Sequence, residues 1–238
     1  MKRYVMAVAL SCIASSALAL PQSSGGGSIS KDEVKRLNDA TTLVNELRAT
    51  SDKGIPEDLW GKAECVVVIP GMKKAAFVVG GEYGAGVMSC RNKGTWSAPL
   101  FMQLAKGSWG LQIGGEEVDL VLLIMNRRGV DKLLQDKVNL GADAAVAAGP
   151  LGRQGSAATD AQMHAEMLAY SRTRGLFAGI DLSGGILKPD KDRNEKAYGG
   201  AVAPRDVAMG TAHVTAPAEA NAFLRALRTE TRATTGRT

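Results

Sequence analysis

Histidine is nearly absent. The 238 residues hold two, His164 and His213, far apart and without ligand spacing, so neither a general-base histidine nor a zinc site has a partner set. The nucleophile elbow G-x-S-x-G, the phosphate loop G-x-x-x-x-G-K-S/T and the zinc helix H-E-x-x-H are all missing. Gly81, Gly84 and Gly86 come in the wrong order for a dinucleotide fingerprint, and no helical pattern follows them. Asp190, Asp192 and Asn194 imitate the opening of a calcium loop. Glu195 stands where its glycine belongs and Ala201 where its closing acid belongs, so the segment reads as a solvated helix start. Among Glu116, Glu117 and Asp119, strand alternation puts the last two on one face and the first on the other, which suits a rim or an ion pair. No enzyme template, metal or cofactor is expected.

Long hydrophobic runs are scarce as well. The single stretch of note is N-terminal, where Lys2 and Arg3 precede apolar residues 4–20 and Ala17-Leu18-Ala19 forms an A-x-A site. Residues 1–19 therefore read as a signal peptide cut after Ala19. A membrane anchor is the rival reading, against which the stretch is short and rich in Ser and Ala. Cys12 invites a lipoprotein reading, but Ala9-Leu10-Ser11 is a poor lead-in and apolar residues continue past it. Removing Lys2 and Arg3 takes the formal charge from +5 to +3, too little for a nucleic-acid footprint. Cys65 and Cys90 remain in the mature chain, and an exported protein can oxidise them. In a plain meander they fall at opposite ends of their strands, and only a bent or coiled sheet brings them together. A bond and two free thiols both stay open on these grounds.

What is present is an ordinary globular composition with many glycines. Residues 20–29 are a flexible Gly/Ser linker. Ser30-Lys31-Asp32-Glu33 is a capping box, and Val34, Leu37, Thr41, Val44 and Leu47 recur at helical spacing over 31–50. Pro56 opens a short second helix. Residues 65–69 are a β-branched run stopped by Pro70-Gly71, with Lys73 and Lys74 in the turn and 75–79 returning. Asn92-Lys93-Gly94 is a hairpin turn, and 96–104 and 109–113 are further strands. Residues 118–125 are almost continuously apolar, as in a strand buried on both faces. A short helix follows over 127–135, whose Arg127-Arg128 start opposes the helix dipole. A bound anion, a nearby carboxylate and plain exposure would each explain that pair. Strands over 165–170 and 175–187 and helices over 190–198 and 217–228 complete the chain, with 231–238 a disordered tail. The expected fold is α+β, a single domain over 30–230. Its core is a mostly antiparallel, strongly bent or barrel-like sheet flanked by N- and C-terminal helices.

Several strings resemble the SYLF domain. They include Val68-Ile69-Pro70, Gly80-Gly81-Glu82-Tyr83-Gly84-Ala85-Gly86-Val87, Trp96-Ser97-Ala98-Pro99 and Gly110-Leu111-Gln112-Ile113-Gly114-Gly115-Glu116. Leu140-Gly141-Ala142-Asp143-Ala144-Ala145-Val146-Ala147-Ala148-Gly149-Pro150, Tyr170-Ser171-Arg172, Gly175-Leu176-Phe177-Ala178-Gly179 and Tyr198-Gly199 follow in order. The resemblance implies a non-enzymatic module that binds phosphoinositide-like anionic phospholipid, with membrane contact through an amphipathic N-terminal helix. Here residues 31–50 occupy that place, so Lys31, Lys35, Arg36 and Leu37 are candidate lipid contacts, joined by Lys73 and Lys74. The same stripe packed on the sheet as core is the competing reading. An exported chain meets no actin, so the expected partner is an anionic membrane surface, in the periplasm or outside the cell. A structural or protein-interaction role in the envelope and a hydrolase built on carboxylates alone are the alternatives. Oligomeric state is not legible.

Overall fold

A computed structural model describes residues 27–49, 54–152, 162, 164–173 and 176–228, without the side chains of 74–80 and 108–116. The signal-peptide assignment, most of the linker and the tail lie outside the described residues.

The capping box forms. Ser30 N–H donates to the Glu33 carboxylate and Glu33 N–H donates to Ser30 Oγ, starting α1 (Lys31–Ala49). Its buried face is Glu33, Leu37, Ala40, Leu43, Val44 and Leu47, rotated slightly from the expected stripe, with Val34 and Thr41 half-buried. The linker is less free than its composition implies. Ser28 N–H donates to Lys196 O at 3.1 Å, so the chain is already docked before α1 begins.

Two long strands dominate the sheet. β1 (Cys65–Asn92) turns through Lys93-Gly94 into β2 (Thr95–Trp96), and β3 (Leu100–Ile124) then runs back antiparallel along β1 from Met88↔Leu100 to Cys65↔Ile124. The expected reversal at Pro70-Gly71 does not occur, nor is 96–124 broken into three strands. Ladder register shifts between Ile69 and Met72 instead, so the proline, which has no N–H to donate, sits in a bulge that bends the strand without turning it. Bending accumulates until β1 meets itself: Arg91 N–H donates to Glu64 O at 2.6 Å, and Cys65 and Cys90 are joined by a disulfide. That bond closes one curled strand on itself rather than joining an early strand to a later one.

Glycine permits the curl. A Cβ on Gly86 would run into the Val68 carbonyl oxygen and lie 2.6 Å from Ile69 Cγ1, and one on Gly84 would lie 2.5 Å from Ile69 Cγ2. The two halves of β1 pass too closely there for any side chain.

β3 is central, pairing β6 (Met167–Thr173) at one end and β8 (Gly185–Pro189) at the other. β4 (Val138–Asn139) joins β8, and β7 (Leu176–Gly179) joins β6 antiparallel. β5 (Val146–Ala148) runs parallel to β6, so the curled sheet is mixed, though mostly antiparallel. Both faces are buried. Leu120, Leu122 and Ile124 enter one core with Val67, Ile69 and Met88, while Val121 and Leu123 enter another with Val66, Val68 and Phe101. That second core is covered by α1, α2 (Glu57–Lys62) and the C-terminal helix α6 (Asn221–Leu227), itself preceded by a 3₁₀ turn (Ala218–Ala220). α3 (Arg127–Leu133) turns Val130 and Leu133 inward, and α4 (Lys191–Tyr198) and α5 (Pro204–Met209) complete an α+β single domain. Helix α5 was not expected from the sequence.

Candidate functional site

Asp32, Lys35, Arg36 and Asp39 are spaced i, i+3, i+4 and i+7 along α1, so they share one side of the helix. That side forms one wall of a cleft of about 290 Å³. The opposite wall is β1 at the bulge and beyond it, with Pro70, Gly71, Lys73, Tyr83, Gly84 and Ala85. Tyr83 is unusually exposed for an aromatic, at 54%.

Its charges are mixed. Lys35 Nζ lies 2.6 Å from Asp39 Oδ2, which raises the lysine's proton affinity. The Arg36 guanidinium lies 5.8 Å from the Phe101 ring centroid. Burial, and behind it the charge of Arg193, works against its protonation. Its Nη1 is buried without a hydrogen-bond partner among the described residues. Lys73 is exposed on the facing wall. The cleft thus sets Arg36 on one wall and the Lys73 ammonium on the other, side-chain types that commonly hold phosphate oxygens.

Three of the six expected lipid contacts, Lys35, Arg36 and Lys73, line this cleft. Lys31 is exposed at the start of α1, and the side chain of Lys74 lies outside the described residues. Leu37 is fully buried and packs in the core beneath α1, with the strands and α6. In this conformation the apolar stripe of α1 faces the protein.

A brace fixes the cleft's floor. Asp119 Oδ1 accepts from Gly71 N–H at 2.8 Å, and Arg172 Nη2 lies 2.7 Å from Asp119 Oδ2. The same guanidinium pairs with Glu46 on α1 and stands 5.9 Å from the Phe177 ring centroid. Asp119 is thus half of an ion pair, as strand alternation allowed, while Arg172 stood out only within the string Tyr170-Ser171-Arg172. A second brace joins α1 to α4, where Arg193 Nη1 lies 3.1 Å from Glu33 Oε1 and its Nε 3.2 Å from Asp190 Oδ2. The expected solvated helix start at Asp190 is in fact buried. Its carboxylate caps α4 by accepting from Arg193 N–H and also accepts from Gln103 Nε2 at 2.6 Å. At α3, Arg128 lies 3.1 Å from the Glu166 carboxylate, which answers the unfavourable dipole with a neighbouring acid.

Among the described residues no group of His, Cys, Asp and Glu could hold a metal ion, and no helix is long and apolar enough to cross a membrane.

Residues 105–230 match the family described as Las17-binding protein actin regulator, Ysc84. An SH3 domain-containing protein of Schizosaccharomyces pombe, PJ696.02, is 32% identical over 203 residues, covering 83% of this chain and 46% of the relative. The SH3 domain-containing YSC84-like protein 1 of Bos taurus is 33% identical over 192 residues, 80% of this chain and 55% of that protein. Protein YSC84 of Saccharomyces cerevisiae is 33% identical over 181 residues, 74% and 38% respectively. The chain thus spans roughly half or less of the length of these relatives. By the family match, the shared identity and the curled α+β fold, the chain belongs to the Ysc84 family and carries its SYLF domain.

Proposed function

We propose that this chain is an exported, non-enzymatic domain that holds anionic phospholipid headgroups in the cleft between α1 and β1. The observation that carries the reading is the cleft itself, which brings Lys35 and Arg36 of α1 and Lys73 of β1 to one opening. Peripheral binding fits this arrangement, because the cleft takes a headgroup while the apolar stripe of α1 stays in the core. The Cys65–Cys90 bond supports an oxidising location, consistent with cleavage after Ala19.

Vesicle sedimentation with protein beginning at Leu20 tests the proposal. Phosphatidylglycerol vesicles should capture it and phosphatidylcholine vesicles should not, with capture weakening as salt rises. Lys73→Glu should lower capture at unchanged melting temperature. A protein-interaction role is the second reading, suggested by the family description, which names binding to Las17. Indifference to every anionic vesicle would favour it.

A further inference from the structure

Successive rungs of the β1–β3 ladder, Val87↔Phe101, Ala85↔Gln103 and Tyr83↔Ala105, share one face of the sheet. The first rung is fully buried in the core beneath α1, the second is half-buried and the third is exposed. β8 extends the same rows, with Lys188 opposite Gln103 and Ile186 opposite Ala105. The sheet thus runs out from under its helix, and the uncovered end carries Tyr83, Ala105 and Ile186 in a row across β1, β3 and β8. Among the described residues the large apolar side chains left exposed are Tyr83, Leu176 and Ile186, and this row holds two of them. Two strand spacings, about 10 Å, separate that pair.

We infer that this row is the surface that meets the bilayer, dipping into the headgroup layer of an anionic membrane while the neighbouring cleft takes a headgroup. The inference rests on the lipid-binding reading and gives the domain its orientation. Size favours a membrane over a second copy of the chain. The row is far smaller than the roughly 800 Å² per partner that a stable protein interface buries, whereas a few inserted side chains serve peripheral attachment. A tyrosine beside an isoleucine also suits the boundary between water and lipid. The charge next to the row has the matching sign. Lys188 shares the face of Ile186 and lines a groove with Lys137; both are exposed, and neither makes an ion pair with a described residue. Of the acids along that groove, Asp136 is matched by Lys191 and Asp190 by Arg193, which leaves Asp192 against two lysines. On the other side of the row, Tyr83 and Ala85 line the cleft that holds Lys73.

The test attaches an environment-sensitive dye to protein beginning at Leu20, through Ile186→Cys or, towards the Cys65 end of the ladder, through Lys62→Cys, with Cys65 and Cys90 bonded. On phosphatidylglycerol vesicles the dye at position 186 should shift to shorter wavelength and be quenched by brominated acyl chains, and the dye at position 62 should do neither. Tyr83→Ser with Ile186→Ser should lower capture on the order of tenfold at unchanged melting temperature. The same fold-loss should persist at high salt, unlike that caused by Lys188→Glu, and Ile186→Trp should raise capture. Full capture of the double serine variant, or a dye at position 186 that stays in water on bound protein, overturns the inference and leaves the lipid-binding reading standing. A dimer in sedimentation velocity that the double serine variant dissociates overturns it too, and assigns the row to a second copy. Capture by no anionic vesicle overturns both.

Discussion

Arg36 and Leu37, neighbours on α1, face opposite fates: the first lines the cleft with a guanidinium 5.8 Å from the Phe101 ring centroid, and the second is completely buried. One helix therefore supplies both the polar wall of the candidate site and the lid of a core.

Leu37→Ala separates these roles. Removing a buried leucine should cost about 2–5 kcal/mol of stability, because the lost burial is compounded by a cavity. Chemical denaturation should show the loss, while vesicle binding by the folded fraction stays near that of the parent. An unchanged denaturation midpoint with lost binding would make the stripe a membrane contact.

Gly86→Ala should destabilise more than Gly84→Ala. The new methyl at 86 meets a backbone oxygen, that of Val68, whereas at 84 its neighbours are the Ile69 and Met72 side chains, which can shift. Overpacking of this kind costs about 1–3 kcal/mol, and the larger value should fall at Gly86. Equal midpoints for the two variants would contradict the close passage of the two halves of β1.

The Cys65–Cys90 bond spans a sequence separation of 25 and ties the two ends of the curled strand together. Unreduced protein should show no free thiol at these positions even after unfolding. Cys65→Ser with Cys90→Ser should lose about 3 kcal/mol, mainly by freeing the unfolded chain. Two titratable thiols in unreduced protein would refute the bond.

Acid should loosen the contact between α3 and β6 through Glu166. Burial opposes its ionisation, but Lys132 at 2.7 Å, the Ala145 N–H at 3.1 Å and the nearby charges of Lys132 and Arg128 outweigh that and hold the carboxyl below its ordinary value of 4.5. A carboxyl lowered on folding adds stability at pH above its unfolded pKa, and that contribution disappears as pH falls through the folded value. Stability should therefore decline below about pH 4.5, and Glu166→Gln should be less stable at neutral pH with a shallower acid slope. Parallel slopes for the two proteins would argue that other carboxylates set the acid limit.

Local signals were legible where neighbours in sequence are neighbours in space. The capping box at Ser30 and Glu33, the turn at Lys93-Gly94 and the doubly buried run in β3 all formed as their spacing required. Pro70-Gly71 misled because a proline in a bulge and a proline in a turn leave the same trace in the sequence. Only the ladder to β3 decides between them. The cleft was half legible: Lys35, Arg36 and Lys73 stood out by charge, whereas Asp32 and Asp39 join them only once α1 packs against β1.

The sequence by itself determined the family, the α+β class and the amphipathic character of α1, since these rest on short-range periodicity and on strings read in order. Tertiary structure decided which way the stripe of α1 faces, how Asp119 and Arg172 brace Gly71, and that Cys65 meets Cys90. Each depends on the cumulative bend of one long strand. That bend is summed over many residues and fixed by the close passage of the two halves of β1 at Gly84 and Gly86, so no local window of sequence contains it.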